Sequence, residues 1–301
     1  MNYKKVFNAS ISTFYDENHY DITISDDTVG YKENGDILFI FKKNVIPEED
    51  RKNYLKIIRS LSKTKSKNRG SATGYCDVKK FPKDAVSLCN PKGEPLKNKK
   101  IVSTYYLKEN GEMAKRCQSN TVRCGVAGYF DPVAGFPCRM VGWSSNNINK
   151  HNELIKLCDT ISNHFKEVAP EIWEYQKSKC HNSYNMGDSC FSTLTLNYDF
   201  RTAAHKDKGD LENSLSTLTI LEDEEENYEG FYTGLPEYKI MFDIRDGDTL
   251  IFDAHEVHCN TEYKVNSDKL PIDDLTNNNY AGRVSIVAYL RNRINLCGDA
   301  D

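Results

Sequence analysis

The sequence predicts a mainly β protein of the α+β class, in which N-terminal helices and strands support a C-terminal antiparallel sandwich or barrel. The main observation is a series of short segments after Cys190 in which apolar and polar residues alternate, as in half-buried strands. These segments read FSTLTLNY, STLTILE, YKIMFDI, DTLIFDA and RVSIVAYL. Turns such as Asp246-Gly247-Asp248 separate them, and no helical segment between them is long enough for a crossover to a parallel strand.

The second observation is the helical periodicity of the N-terminal part. Residues 46–62, IPEEDRKNYLKIIRSLS, predict a helix because Pro47 stands near the first turn, acidic residues follow it, and basic residues come later. Apolar residues recur in it at helical spacing, at Tyr54, Leu55, Ile58 and Leu61. A second helix begins near Lys150, with an apolar face formed by Leu154, Ile155, Cys158, Ile161 and Phe165.

Short strands precede the first helix, for example GDILFIF at Gly35–Phe41. The sequence shows no internal repeat, and the N-terminal helices and strands are expected to support the C-terminal β core. We therefore expect one domain over residues 1–301, in which residues 1–189 support a β core at residues 190–297.

Length and composition fit a soluble globular protein. The chain has 301 residues, of which 39% are hydrophobic and 28% charged. It contains no apolar run of about 18 residues or more, so we expect no membrane partner. The first residues, MNYKKVFNASISTFYDENHYD, lack the apolar stretch of a secretory signal, so we expect an intracellular protein that is not secreted. Nothing in the sequence indicates an obligate protein partner.

The ten cysteines have no spacing typical of a metal or disulfide framework. No CxxC pair occurs, and neighbours such as Cys180 and Cys190 are too far apart for a zinc ribbon or finger. Without a secretory signal, disulfides are not expected either. The sequence therefore predicts free thiols in a reducing compartment.

Charge is unevenly distributed along the chain, although the net charge is only −4. The segment from Lys42 to Arg116 has 20 Lys and Arg against 8 Asp and Glu. The later part is acidic, most strongly in the run Glu222–Glu226. A basic segment in an acidic protein indicates a phosphate-backbone partner, although lysines scattered over a solvated face would give the same count.

His205 and Asp207 form an HxD pair at the edge of a predicted strand in the β core. Residues two apart on a strand point the same way, so both side chains can reach one metal ion. A third ligand is offered by GDTLIFDAHEVHCNTEY, in which His258 follows an apolar strand and is preferred over His255. Two histidines and one carboxylate with open coordination positions are the ligand set of non-haem iron(II) oxygenases.

An oxygenase that uses 2-oxoglutarate also needs a cation for the distal carboxylate of that molecule. Arginine suits this role, since its planar guanidinium binds a carboxylate through two parallel hydrogen bonds. GRVSIVAYLR places Arg283 at the start of a strand, 25 residues after His258, and Ser285 lies on the same strand face. Arg291 and Arg293 are rival carboxylate binders at the far end of that strand.

These segments, read together, resemble the dioxygenase domain of the base J-binding proteins and their viral and phage relatives, within the group that includes the ten-eleven translocation enzymes. NRGSATGY at Asn68–Tyr75 is similar to the NRGxAxG segment of that family, and AGYFDPVAGFPCRMVGWSS at Ala127–Ser145 is similar to its GYYD…PCR segment. The matches extend from about residue 68 to residue 297, in the order of the family.

The resemblance implies a double-stranded β-helix of the jelly-roll, cupin-like type. It implies that His205, Asp207 and His258 bind iron(II), and that Arg283 anchors 2-oxoglutarate with Ser285 beside it. Dioxygen would be the second co-substrate, with ascorbate as a reductant in vitro. The implied activity is hydroxylation of the 5-methyl group of thymine in DNA to 5-hydroxymethyluracil.

A thymine methyl inside a duplex cannot reach a metal at a barrel mouth, so the base must be flipped out or the DNA single-stranded. We expect Arg69 and Arg139 to lie near the pocket or the DNA backbone, with Asn68 beside them and Trp143 as a possible stacking group. Each of these residues could instead serve only to hold a loop or fill the core.

Other functions remain open at this stage. The same chemistry could act on 5-methylcytosine, RNA, a nucleotide or a protein side chain. The chain could also be a non-catalytic DNA-binding module on this scaffold, although such a module usually loses a metal ligand. A cupin-like metalloprotein that ignores 2-oxoglutarate is a third possibility.

Overall fold

The computed structural model describes residues 1–11, 13–66, 69–73, 122–133, 135–223, 228–265 and 281–298, together with the backbone of three short strands within residues 87–116. In chain order the strands are β1 (Asn2–Tyr3), β2 (Ile22–Ile24), β3 (Thr28–Lys32), β4 (Ile37–Lys42), β5 (Lys65–Ser66), β6 (Ser87–Cys89), β7 (Tyr105–Leu107), β8 (Met113–Arg116), β9 (Val122–Phe130), β10 (Arg139–Met140), β11 (Thr193–Tyr198), β12 (Ser216–Glu222), β13 (Tyr228–Gly230), β14 (Thr233–Leu235), β15 (Ile240–Phe242), β16 (Thr249–Phe252), β17 (Cys259–Asn260), β18 (Tyr263–Val265) and β19 (Arg283–Tyr289). The helices are α1 (Glu48–Ser62), α2 (Gly142–Asn146), α3 (Ile148–Val168) and α4 (Pro170–Ser178).

Both predicted helices are present, and two more follow from local sequence that the periodicity did not reveal. Helix α1 begins directly after Pro47 and carries three acidic residues in its first turn, which favours the positive end of the helix dipole. Helix α4 is separated from α3 only by Ala169, because Pro170 lacks the N–H that a continued helix would need. Helices α2 and α4 are too short to show a periodic apolar face.

Within the described residues, the largest sheet has ten strands in the order β1-β3-β4-β16-β12-β19-β11-β9-β10, with β5 paired to β9. The strands predicted after residue 190 form its centre, in antiparallel register. Strands from the first 189 residues continue the same sheet on both sides, through the β4–β16 and β9–β11 pairs. The supporting part is therefore hydrogen-bonded into the core sheet.

A second sheet, in the order β17-β14-β15-β2, faces the first. Strands β13 and β18 pair separately, and β6, β7 and β8 form a further small sheet. Two parallel pairs occur outside the predicted antiparallel core, since β1 pairs with β3 and β2 with β15 in parallel. Both exceptions involve short N-terminal strands, whose pairing local sequence patterns do not reveal.

Strand β9 was not predicted, although it borders the functional sheet. Its sequence, VRCGVAGYF, contains two glycines, which lower strand propensity and obscure the alternation. Packing explains them: a Cβ on Gly125 would lie 2.2 Å from the carbonyl oxygen of Leu61. Gly128 has φ of +95°, and a Cβ there would lie 2.3 Å from the carbonyl oxygen of Ser192. Close backbone approach therefore overrides strand propensity here.

The helices cover one face of the large sheet and leave its other face for a cavity. On β19, the residues that pack into the helix-side core are Val284, Ile286 and Ala288. The alternate residues, Arg283, Ser285, Val287 and Tyr289, line the cavity between the two sheets. One strand thus supplies packing on one face and functional side chains on the other, as its period of two requires.

The cysteine prediction is partly wrong. Cys138 and Cys297 form a disulfide across 159 residues of sequence. Among the other side chains that the structure describes, Cys124, Cys158, Cys180, Cys190 and Cys259 are free and buried, as predicted. The pair is invisible in the sequence because β10 and the C-terminal turn meet only through the fold.

In the described part of the chain, no helix is both long enough and apolar enough to cross a membrane.

Candidate metal centre and its cavity

Two histidines face each other across an isolated antiparallel bridge between the sheets. The backbone N–H of His205 donates to the carbonyl of His258 at 3.0 Å, and the N–H of His258 donates back at 3.0 Å. The imidazole ring centroids lie 4.2 Å apart. A reciprocal pair of this kind sets the side chains of both residues on the same side of the ladder.

Asp207 completes the group two residues after His205. Its backbone N–H donates to the carbonyl of Ala254 at 2.9 Å, which fixes the chain after the bridge. Its two carboxylate oxygens lie 3.8 Å from Nε2 of His205 and 3.6 Å from Nε2 of His258. The three side chains each offer one ligand atom, and these atoms lie within 4.8 Å of one another. One cation can therefore contact all three.

The second nitrogen of each imidazole is already committed to the backbone. Nδ1 of His205 lies 2.8 Å from the carbonyl oxygen of Ala203, and Nδ1 of His258 lies 2.9 Å from that of Glu256. Since a carbonyl only accepts, each Nδ1 carries the proton and each Nε2 keeps its lone pair for a metal. Two imidazole nitrogens and one carboxylate fit the ligand set of a mononuclear iron(II) oxygenase.

Electrostatics inside the group favour a charged carboxylate next to a neutral imidazole. Burial, together with the neighbouring His258, lowers the pKa of His205 to about 4. Burial alone would raise the pKa of Asp207, but the adjacent imidazoles of His258 and His205 hold it below its ordinary value. Asp207 is therefore ionised at neutral pH, as a metal ligand must be.

Arg283 is a buried cation that lines the same cavity, with only 2% of its surface exposed. Its guanidinium carbon lies 4.4 Å from the centre of the Phe231 ring. Among the described residues, neither Nε nor Nη2 of Arg283 finds a hydrogen-bond partner. A buried guanidinium with two free donors is costly unless an anion completes it, so this position suits a carboxylate-bearing ligand.

Asp199 binds the backbone of Arg283, the first residue of β19. Its Oδ1 accepts from the N–H of Arg283 at 3.0 Å, and its own N–H donates to the carbonyl of Arg283 at 3.0 Å. The residue has a left-handed backbone, with φ of +47°. Burial raises the pKa of Asp199 to about 7. The carboxyl group therefore caps the strand mainly in its neutral form below neutral pH.

The cavity has a volume of about 230 Å³. The metal-binding group and the Arg283 side chain both line it, and Ser285 lies on the same face of β19. The hydroxyl of Ser285 accepts from Nδ2 of Asn197 at 3.4 Å. The structure thus brings together all five residues that were expected to bind iron or 2-oxoglutarate.

Of the residues expected near the substrate, only some lie at the cavity. Arg69 lines the cavity, and within the described residues its Nε has no hydrogen-bond partner. Burial alone would lower the pKa of Arg69, but the nearby Cys124, Asp207 and Asp210 side chains help to raise it above its ordinary value. The short turn that follows Arg69 also supports the metal-binding segment, since the carbonyl of Ala72 accepts from the N–H of Ala203 at 2.8 Å. Asn68 lies outside the described residues.

Arg139 and Trp143 do not line the cavity. The guanidinium of Arg139 lies over the rings of Phe130 and Phe136, at 5.2 and 5.0 Å from their centres. Trp143 is half-buried against the helix-side core and lines a shallow groove beside β5 and β9. Of the basic segment 42–116, most residues after Thr73 lie outside the described ones.

Two further residues line the cavity: Arg291, which the sequence offered only as a rival carboxylate binder, and Asp210, which the sequence did not single out. Arg291 continues the alternation of β19, and its side chain donates to Oγ1 of Thr193 at 3.1 Å and to the hydroxyl of Tyr289 at 3.1 Å. Asp210 follows Asp207 by three residues, is 5% exposed, and accepts from the hydroxyl of Ser216 at 2.5 Å. Burial and the nearby Asp207 raise the pKa of Asp210 well above its ordinary value.

The similarity to known proteins covers the residues of this site. Residues 125–292 match the Tet_JBP family model, which describes the oxygenase domain of the 2OGFeDO superfamily. Thymine dioxygenase JBP1-B of Trypanosoma cruzi is 34% identical over 171 residues, which are 56% of this chain and 19% of that protein. Bifunctional helicase and thymine dioxygenase JBP2 of Trypanosoma brucei brucei is 34% identical over 177 residues, 56% of this chain and 15% of that protein. The chain therefore spans less than a fifth of the length of these relatives.

Among solved structures, NgTET1 in complex with 5mC DNA matches with a TM-score of 0.50 and 13% sequence identity. The match covers 89% of this chain and 79% of that chain. At this identity the similarity concerns the fold alone. The predicted fold class is confirmed by the family match and by this structural similarity.

The metal-binding group can be tested with a matched pair of histidine variants. We expect His205→Ala to weaken iron(II) binding by at least about 100-fold, because it removes one of three ligands. His255→Ala is the control, since His255 contacts Asp253 and Glu212 and does not line the cavity. Calorimetric titration of both variants with iron(II) under anaerobic conditions measures the affinity. Equal affinity in the two variants would contradict the assignment.

Asp199 provides a test of the strand cap. An unfolded aspartate ionises near pH 4, whereas Asp199 in the folded protein keeps its proton to about pH 7. Its contribution to stability is complete below about pH 4 and is lost as the pH rises towards 7. We therefore expect Asp199→Asn to gain stability relative to the wild type between pH 4 and 7, by on the order of a few kcal/mol.

Urea unfolding of both proteins at several pH values measures this difference. A difference in unfolding free energy that stays constant from pH 4 to pH 7 would show that Asp199 is already ionised in the folded protein.

Proposed function

Because the chain belongs to the Tet_JBP family, the oxygenase domain of the 2OGFeDO superfamily, we propose that it is an iron(II)- and 2-oxoglutarate-dependent dioxygenase that hydroxylates the 5-methyl group of thymine in DNA. The product would be 5-hydroxymethyluracil. The observation that carries this proposal is the presence, in one cavity, of a histidine–aspartate–histidine group and a buried arginine with free donors.

Iron(II) would be held by Nε2 of His205, Nε2 of His258 and the carboxylate of Asp207. Arg283 would bind the distal carboxylate of 2-oxoglutarate, with the hydroxyl of Ser285 as an additional donor. When bound, iron(II) with 2-oxoglutarate and dioxygen supplies the oxidising power for an unactivated C–H bond and releases succinate and carbon dioxide. Ascorbate would keep the iron reduced in vitro.

The protein itself would contribute position and a dry environment. The imidazoles are oriented by backbone carbonyls rather than by mobile side chains, so the metal site is preorganised. The Phe252 ring packs edge-on against His258, with 5.1 Å between centroids, and excludes water from that side. Holding a methyl group next to the metal in such a cavity is the main task left to the chain.

Thymine as the base is supported by the names of the relatives and by the far end of the cavity. Thymine presents one N–H donor between two carbonyl acceptors on its pairing edge. Arg291 offers N–H donors, and the carboxyl of Asp210 offers an acceptor. 5-Methylcytosine replaces one of those carbonyls with an amino group, and it is the second candidate because a TET structure with 5mC DNA shares this fold.

DNA as the partner requires that the base leave the duplex or that the substrate be single-stranded. Arg69, at the cavity, would contact the base or its phosphate, and the basic segment 42–116 would supply further phosphate contacts. Arg139 would act outside the cavity, on the DNA backbone. A DNA substrate also fits an intracellular location, which we propose for the protein.

The co-substrate assignment predicts a clear effect of Arg283→Lys. We expect the dissociation constant for 2-oxoglutarate to rise about 10- to 100-fold, because lysine is a point charge that cannot make two parallel hydrogen bonds. Arg293→Lys is the control, since Arg293 is exposed and does not line the cavity. Anaerobic titration of the manganese-loaded proteins with 2-oxoglutarate gives both constants. Unchanged binding in Arg283→Lys would rule out this anchor.

The activity is tested with iron(II), 2-oxoglutarate and ascorbate on thymine DNA and, separately, on 5-methylcytosine DNA. The DNA is then digested to nucleosides for mass spectrometry. We expect a gain of one oxygen on thymidine that is absent with His205→Ala and retained with His255→Ala.

Each other result has a defined meaning. A gain of oxygen only on 5-methylcytosine would support the proposed hydroxylation but would make 5-methylcytosine, and not thymine, the substrate base. Succinate formed without an oxidised nucleoside would keep the oxygenase and reject DNA as its substrate. If neither an oxidised nucleoside nor succinate forms, the result would favour a non-catalytic DNA-binding module.

A further inference from the structure

A short hairpin joins β9 to β10 and presents apolar side chains to solvent. Val133 and Phe136 exchange two backbone hydrogen bonds, of 3.1 and 2.8 Å, across a tight turn. Gly135 in that turn has φ of +84°, which suits glycine. At the tip, 46% of Val133 and 59% of Phe136 are exposed. We call residues 131–133 and 135–138 the mouth hairpin.

Both limbs of the mouth hairpin are anchored to the protein. On the first limb, Oδ1 of Asp131 accepts from Nη1 of Arg291 at 3.3 Å. On the second limb, Cys138 forms the disulfide with Cys297. The exposed tip is therefore held in place from both sides. The hairpin therefore presents the ring of Phe136 to solvent from a fixed position.

The mouth hairpin lies next to the cavity. Phe130 lies at the base of the hairpin. The guanidinium carbons of Arg291 and Arg139 lie 4.8 and 5.2 Å from the centre of its ring. Arg291 lines the cavity, and Arg139 reaches the ring of Phe136 at the tip. Two cations thus alternate with two aromatic rings from the cavity to the tip. Interleaved arginines and aromatics suit stacked bases and phosphates more than an apolar protein surface.

We propose that Phe136 is a wedge that enters the base stack of duplex DNA when the target base rotates into the cavity. The side chain fills the gap that the base leaves, and Arg139 contacts the adjacent phosphate. This rests on the proposed function, in which a duplex base reaches the metal only after flipping. Apolar side chains inserted between base steps are a known means of offsetting the loss of stacking.

The proposal predicts a difference between duplex and single-stranded substrates. Phe136→Ala lowers kcat/KM on duplex thymine DNA by about tenfold or more, because nothing replaces the lost stacking. On single-stranded DNA of the same sequence it changes kcat/KM by less than about twofold, since no base needs to be extracted. Phe136→Trp retains duplex activity because its larger ring still inserts.

Ile148→Ala is the matched control. Ile148 is a comparably exposed apolar residue, 49% exposed, at the start of α3. The Ile148→Ala substitution leaves activity on duplex and single-stranded DNA unchanged. Thermal unfolding of all variants confirms that the exposed substitutions do not alter the fold.

A second measurement follows the wedge without catalysis. The duplex carries 2-aminopurine next to the target thymine, and its fluorescence rises when the neighbouring stack opens. Saturating wild-type protein raises this fluorescence, and Phe136→Ala does not. If the wild type oxidises neither DNA, the proposed function fails, and this signal still decides whether Phe136 opens the stack.

Three results overturn the wedge. The first is an equal loss of activity on duplex and single strand in Phe136→Ala, which would make the residue part of general substrate binding. The second is full duplex activity together with an unchanged 2-aminopurine signal. The third is self-association of the wild type, seen by sedimentation velocity and abolished by Phe136→Ala, which would make the tip an interface between two copies.

Discussion

The antiparallel bridge between His205 and His258 is the constraint on which the candidate site depends. Its two reciprocal hydrogen bonds of 3.0 Å place both imidazoles on one side and bring Asp207 beside them. Distant segments hold this bridge in place. The carbonyl of Thr13 accepts from Ala204 at 2.8 Å, and that of Ala72 accepts from Ala203 at 2.8 Å. The N-terminal half thus supports the candidate metal centre, whose three described ligands all lie after residue 200.

Charged residues extend this support to the second histidine. Glu256, whose carbonyl orients His258, binds Lys32 at 3.0 Å and Lys5 through its carboxylate. Lys32 also binds Asp253 at 2.6 Å. These half-buried pairs connect N-terminal strands to the loop that carries His258. Paired buried charges add little net stability. They favour a single arrangement of that loop, because any other arrangement would leave a buried charge without its partner.

Strand β19 organises the rest of the cavity. Its inward side chains run from Arg283, which has free donors, to Tyr289, with Arg291 beyond. At about 3.3 Å per residue, the two arginines are separated by roughly 25 Å along the chain. One end suits a carboxylate of a small co-substrate, and the other, next to Asp210, suits a polar base edge. The mouth hairpin extends the second end to the surface.

Local sequence by itself determined the central strands, the helices α1 and α3, and the HxD pair, because each depends on periodicity or on residues two apart. It also placed Arg283 and Ser285 on one face. Tertiary structure alone decided that Trp143 lies away from the group, and it brings His258, which the sequence already favoured over His255, next to His205 and Asp207. These outcomes depend on which distant segments pair, and local patterns carry no information about partners 53 or more residues away, such as His205 and His258. The glycines of β9 and the Cys138–Cys297 bond have meaning only through that pairing.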